Sequence, residues 1–350
     1  MRVLIAAALA AATPNYHFAN LQDLARLPWF EAAPEGRVRV KDKTIGPIID
    51  FHTHMALAFG PPMSVDLFKL HPQTEHYLPT CCAFDLEPYA NRNFTEEQKH
   101  ALERDLTLDS QGPDGMRRTH TAPDIIREMD DLGIVNSVLL AIDMPFGSDN
   151  AGVALAVAKR EPRLIPFGSV HPHTAFATAK LDAQAAAGAK GFKFHPAVQL
   201  TRPDDPRAQA LYREAARLHK VVFWHCGPVG IENPLSRELT QVAYYERPIA
   251  DNPDVTFVLG HSGALQADRG LDLAKRYPNV YLEMSSQGLP MVRKLVHEAP
   301  DRVLFGSDWP FYHAALPLAK VLIATEGEPV LRHKVLYGNA ARLLGLPPKP

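Results

Sequence analysis

The chain has 350 residues, 46% of them hydrophobic and 22% charged, which is ordinary for a globular protein with a substantial core. Its 37 Lys and Arg nearly balance 39 Asp and Glu, for a formal charge of -2, so neither nucleic acid nor an anionic membrane is expected as a partner. A small molecule is expected instead. Three cysteines, Cys81, Cys82 and Cys226, are too few for a disulfide framework, and adjacent Cys81 and Cys82 are poorly placed to bridge each other, which fits a reducing cytoplasm.

Residues 1–13 lead from Met1-Arg2 into an alanine-rich apolar stretch. It reads either as a docked N-terminal segment or as a cleaved signal, which would make the protein secreted or periplasmic; against the signal, the basic region is a single arginine. No apolar run is long enough to span a membrane. Residues 1–46 form an N-terminal extension, with a helix expected over 21–30 and a hairpin arm over 37–41. From residue 47 to 350, apolar strand-like runs alternate with amphipathic helical ones, the pattern of repeated βαβ units. Strands are expected over 47–54, 137–143, 164–170, 189–195, 221–225, 256–261, 279–285 and 303–308. Helices are expected over 122–132 with Gly133 as stop, over 175–187 with Gly188, and over 335–344 with Gly345. Asp50 and Asp308 lie 258 positions apart, close to the roughly 250 residues of an eight-unit barrel. The fold class is therefore α/β, a (β/α)8 TIM barrel in one domain. Residues 55–120 form an insertion after strand 1, too long for an ordinary βα loop and placed to cover the pocket.

Five of these strands end in residues that bind divalent metals: His52 and His54, His195, His225, His261 and Asp308. Parallel barrel strands all finish on one face, where barrel enzymes keep their chemistry, so the five ends converge. Residues two apart on a strand point the same way, which lets His52 and His54 face one ion, and Asp50 shares their parity. His52, His54, His225 and Asp308 make a suitable set for one divalent metal with an open position for water, zinc first, with manganese, iron or cobalt as alternatives. Metal-bound water loses a proton near neutral pH, and Asp308 can shuttle it. The Gly-His-Ser-Gly setting of His261 lets a ligand approach the backbone. Lys193 shares parity with His195 and can meet a substrate carboxylate as a point charge; Arg247, in the region after strand 5, can clamp an anion or lie solvated. Cys226 should point away from its neighbour His225 and pack.

The runs Asp50-Phe51-His52-Thr53-His54, Gly191-Phe192-Lys193-Phe194-His195-Pro196, Gly260-His261-Ser262-Gly263, Phe305-Gly306-Ser307-Asp308-Trp309-Pro310 and Tyr337-Gly338-Asn339-Ala340, together with His225, resemble the amidohydrolase superfamily, in particular the branch of aminocarboxymuconate-semialdehyde decarboxylase relatives. The resemblance spans nearly the whole barrel. It implies one divalent ion at the matches to His52, His54, His225 and Asp308, with the match to His261 as catalytic acid/base or substrate-polarising group. It also implies a homodimer. In some members a carboxylated lysine on strand 4 bridges a second metal, a role that would fall to Lys193. The expected activity is hydrolysis of a small amide, lactone or ester by metal-activated water, with Asp308 and His261 handling protons. The branch also contains non-oxidative decarboxylases, so the alternative is a lyase acting on a small aromatic or dienic carboxylic acid. A barrel that merely chelates metal is disfavoured, because structural zinc sites are usually cysteine-rich and closed.

Overall fold

The computed structural model describes residues 16–59, 64–109, 112, 114–144 and 147–349; the alanine-rich stretch over 1–13 lies outside them. Among the described residues, eight parallel strands form the centre: β1 (Ile48–Thr53), β2 (Ile134–Leu140), β3 (Leu164–Phe167), β4 (Gly191–Phe194), β5 (Val221–His225), β6 (Phe257–Gly260), β7 (Val280–Glu283) and β8 (Val303–Leu304). β1, β2 and β3 pair in order, as do β4 to β8. Single parallel bridges, Gly168 to Phe192 and Thr53 to Trp309, join the two sets. Across the second junction the Phe51 N–H donates to Phe305 O at 2.9 Å and the Asp308 N–H to His52 O at 2.8 Å. The result is the (β/α)8 TIM barrel expected from the strand pattern.

Strand alternation sorts the side chains into two layers. Val221 and Phe223 of β5, Val258 of β6, Tyr281 of β7 and Leu304 of β8 join Ile49, Phe51, Val138, Leu140 and Phe167 in one buried cluster inside the ring, with Tyr337 and Leu344 packed against it. Their neighbours Val222, Trp224, Leu259, Leu282 and Val303 belong to the layer between strands and helices. Each such side chain, fully buried, contributes roughly 1.5–3 kcal/mol.

The helix Ala122–Leu132 ends at Gly133 in the left-handed conformation, φ 74°, as its sequence requires. β2 starts earlier than expected because Ile134 and Val135 extend directly from that glycine. The helix expected over 21–30 is only a 3-10 segment, Leu21–Arg26. Pro28 holds Leu27 extended, with ψ 144°, and Phe30–Ala32 then pairs antiparallel with Val38–Val40. Within the stretch 55–120, Phe84–Asp85 pairs with His17–Phe18, and the helix Glu96–Thr107 opens on a capping box of Thr95 and Gln98. Glu128, on the helix Ala122–Leu132, ties this stretch to the chain after β8. Its carboxylate accepts from His76 Nε2 at 3.0 Å, Trp309 Nε1 at 3.2 Å and the Ala314 N–H at 2.6 Å.

Candidate active site

The C-terminal ends of the strands surround a cavity of about 600 Å³ lined by His52, His54, Lys193, His195, His225, His261 and Asp308, among others. β1 delivers two of the histidines through an irregularity: its pairing with β2 shifts register between Asp50 and Thr53. Phe51 thus sits in the interior cluster while His52, next in sequence, meets Phe223 of that cluster edge-on with ring centroids 4.9 Å apart. Asp50, expected to share the histidines' direction, turns its carboxylate instead to the backbone N–H groups of His52 at 3.0 Å and Ser307 at 2.9 Å. It clips β1 to the segment that carries Asp308.

Three acceptor atoms meet at the centre. His52 Nε2 lies 3.1 Å from His54 Nε2 and 3.3 Å from Asp308 Oδ1, and His54 Nε2 lies 3.4 Å from the same oxygen. The other ring nitrogens settle what these atoms carry. His54 Nδ1 donates to the carbonyl of Leu140 at 2.8 Å, and His52 Nδ1 to Glu283 Oε2 at 2.6 Å. In the neutral imidazoles both Nε2 atoms are then lone-pair acceptors facing a carboxylate oxygen with no proton between them. Such a triangle is unfavourable unless a cation fills it. Ligands about 2.1 Å from one ion stand roughly 3–3.5 Å from each other, so the spacing fits. His225 adds a buried Nε2 with no hydrogen-bond partner, and its ring stacks on His195 with centroids 4.0 Å apart. The triangle of His52, His54 and Asp308 is thus able to hold a divalent metal, and His52, His261 and Asp308 likewise offer ligand atoms within 4.8 Å of one another.

The electrostatics agree with that use. Burial, reinforced by the charge of Lys193, holds His52 well below the ordinary histidine value. Burial likewise lowers His225 and His195 and takes His261 to about 4. Neutral imidazole is the form that ligates a metal. His261 sits where the backbone is strained: it and the next three residues, Ser262, Gly263 and Ala264, all have positive φ. Gln287 pins this turn by donating to the carbonyls of His261 at 2.6 Å and Ala264 at 2.9 Å. His261 Nδ1 donates to Ser285 Oγ at 2.9 Å, whose hydroxyl donates to Glu283 Oε2 at 2.9 Å, leaving His261 Nε2 a base.

Glu283 and Ser285 were not singled out in the sequence, although the signal was present: an acidic residue of inward parity closes the apolar run Val280-Tyr281-Leu282. Fully buried, Glu283 also accepts from the backbone N–H groups of His261 at 3.1 Å and Ser285 at 2.5 Å. Burial pushes its carboxyl up to about 8, and those donors oppose the rise. Burial pulls Lys193 down to about 7, with Asp308 and Glu283 opposing. Lys193 and His195 both line the cavity. Arg247 does not. It lies on the helix Glu246–Asp251 with its side chain 85% exposed and paired to Asp251, so the expected anion clamp is withdrawn. Cys226 is buried in the layer behind β5.

The amidohydrolase family model matches residues 49–346. The chain is 25% identical over 270 residues to 4-sulfomuconolactone hydrolase of Rhizobium radiobacter, a match covering 67% of this chain and 85% of that protein. Among solved structures it is similar to an uncharacterized TIM-barrel protein of Bordetella bronchiseptica, with TM-score 0.61, 22% identity and coverage of 85% of this chain and 98% of that one. It is also similar to 5-carboxyvanillate decarboxylase of Sphingomonas paucimobilis, with TM-score 0.60, 16% identity and coverage of 86% and 99%. At these identities the solved structures bear on the fold alone.

Proposed function

The chain belongs to the amidohydrolase family and is a metal-dependent hydrolase, and from that premise we propose that it opens a small lactone or ester at one divalent ion held by His52, His54, His225 and Asp308. The observation that carries this reading is the acceptor triangle of His52 Nε2, His54 Nε2 and Asp308 Oδ1. Imidazole and carboxylate donors suit zinc, the ion we assign, and accommodate manganese, iron or cobalt. The lactone is favoured over an amide by the relative that hydrolyses 4-sulfomuconolactone.

A divalent ion bound there supplies Lewis acidity, which polarises a carbonyl and acidifies water. The chain's own groups do the rest. With Oδ1 of Asp308 facing the two imidazoles, Oδ2 is left to take the proton of the attacking water. His261 Nε2, neutral and held by the Ser285 relay, takes that proton over from Asp308 and delivers it to the leaving alkoxide as the acyl C–O bond breaks. Water is consumed, and the products are an acid and an alcohol, joined in one molecule when the substrate is a lactone. Glu283 fixes the tautomer and direction of His52. The hydrophobic lining of the cavity excludes bulk water and strengthens each of these contacts.

The three cysteines are free, which supports a cytoplasmic setting, and no described helix is long and apolar enough to cross a membrane. The test is product analysis on the metal-loaded protein with a panel of lactones, esters, amides and aromatic carboxylic acids. Uptake of one 18O from labelled water per lactone opened is expected. Carbon dioxide released from an aromatic acid, with no lactone turned over, would replace the hydrolase by the lyase.

A further inference from the structure

The stretch 55–120 carries a pair of thiols that the proposed chemistry does not use. Cys81 is exposed and Cys82 half-buried, and neither lines the catalytic cavity. Side chains of successive residues diverge on an extended strand, but here the chain turns. The Cys82 N–H donates to Pro79 O at 3.4 Å, and Thr80 O accepts from the Leu21 N–H at 2.9 Å. The two Sγ atoms come within 3.4 Å, one thiol donating to the other. A disulfide would need the sulfurs to close to about 2.05 Å, and it usually spans about 4.4 to 6.8 Å between Cα atoms, whereas a trans peptide holds neighbouring Cα atoms about 3.8 Å apart. An atom bonded to both sulfurs at about 2.3 Å, a usual metal–thiolate length, spans the 3.4 Å with neither sulfur moved, at an angle of about 95°.

That angle selects the occupant. Tetrahedral zinc opens to about 109° and takes four ligands, and among the described residues no third histidine, cysteine or carboxylate ligand atom lies within 4.8 Å of both sulfurs. Two-coordinate copper(I) or mercury(II) is nearly linear, which would hold the sulfurs further apart. Trivalent arsenic is pyramidal, bonds near a right angle, takes soft thiolate ligands and brings its own third substituent. We propose that Cys81 and Cys82 form a binding site for a trivalent organoarsenical. Each sulfur forms a bond to arsenic, the two thiol protons leave with the arsenical's oxygen as water, and arsenic stays trivalent. Cys81 also borders a second cavity, of about 350 Å³, with Leu21, Pro72 and His313 among its walls, which leaves room for the third substituent.

Phenylarsine oxide, added to the reduced full chain, is the probe. One equivalent per chain is expected, read in the intact mass as one phenylarsenic group gained and two hydrogens lost. Excess 2-mercaptoethanol is expected to leave it bound and 2,3-dimercaptopropanol to remove it, because closing the second arsenic–sulfur bond within one chain raises affinity about 100-fold or more. Cys81→Ser and Cys82→Ser, each confirmed folded in a thermal melt, are each expected to lose that factor. A parent that takes up no arsenical, or yields it to 2-mercaptoethanol, overturns the proposal, as does either folded serine variant binding like the parent. The monothiol challenge needs only the parent protein, so it decides even if a variant fails to fold. Neither measurement uses turnover, so the result stands apart from the test of lactone hydrolysis.

Discussion

Glu283 makes no contact with the acceptor triangle's centre, yet three parts of the site lean on it: His52 through Nδ1, His261 through its backbone N–H, and the Ser285 relay. A carboxylate behind a ligating histidine fixes the tautomer and raises the basicity of the ligating nitrogen. Glu283→Gln keeps the volume but replaces one acceptor oxygen with a donor, which would face either the Ser285 N–H at Oε1 or the His261 N–H and His52 Nδ1–H at Oε2. Metal affinity is expected to fall roughly 10- to 100-fold, read by competition with a chelator, and unchanged affinity would remove Glu283 from the site's support. At this scale the legible residues were those with a pattern around them. His52 and His54 are two apart, and His225 and Asp308 end apolar runs. Glu283 follows the same rule, but a lone acid after Val280-Tyr281-Leu282 has no partner in sequence; its partner, His52, is 231 positions away. Arg247 misled for the opposite reason, since closeness in sequence to β5 says nothing about which way a short helix turns its exposed face.

Among elements, the turn after β6 bears the tightest constraint. Four successive residues with positive φ persist only where the surroundings hold them, and two glycines make room for that. A Cβ on Gly227 would stand 2.0 Å from Gly263 O, and one on Gly270, in the helix Ala267–Arg276, 2.1 Å from Ser262 O. Gly270→Ala therefore presses the helix against the turn. It is expected to lower stability by about 1–3 kcal/mol and to reduce kcat while metal content stays at the parent level, because His261 moves and the ligand set does not. Wild-type melting temperature and kcat together would show that the helix does not position the turn. The helix Ala122–Leu132 was legible because its stop, Gly133, is local chemistry. The segment over 21–30 was not, because its apolar spacing suits a helix until Pro28 intervenes. The register shift in β1 has no local signature, since it depends on β2 and on Asp50 reaching Ser307.

For the molecule as a whole, the ends of β1, β4, β5, β6, β7 and β8 supply the chemistry and the stretch 55–120 supplies part of the wall, through Leu57, Leu102 and Leu106. The barrel could be read from spacing alone, because a repeating βα unit writes its period into the chain. The shape of the pocket could not, because it depends on how a long insertion lies across the mouth. Glu128 holds that arrangement, joining His76 of the insertion to Trp309 and Ala314 just past Asp308. Everything proposed for the site assumes that its four ligands share one ion. The most direct test is the metal content per chain of the purified parent and of Asp308→Asn, each confirmed folded and assayed for lactone opening. About one ion in the parent, with metal and activity both lost in the variant, is the predicted result. Hydrolysis at the parent's rate by a metal-free protein, or by an Asp308→Asn variant, would contradict the account.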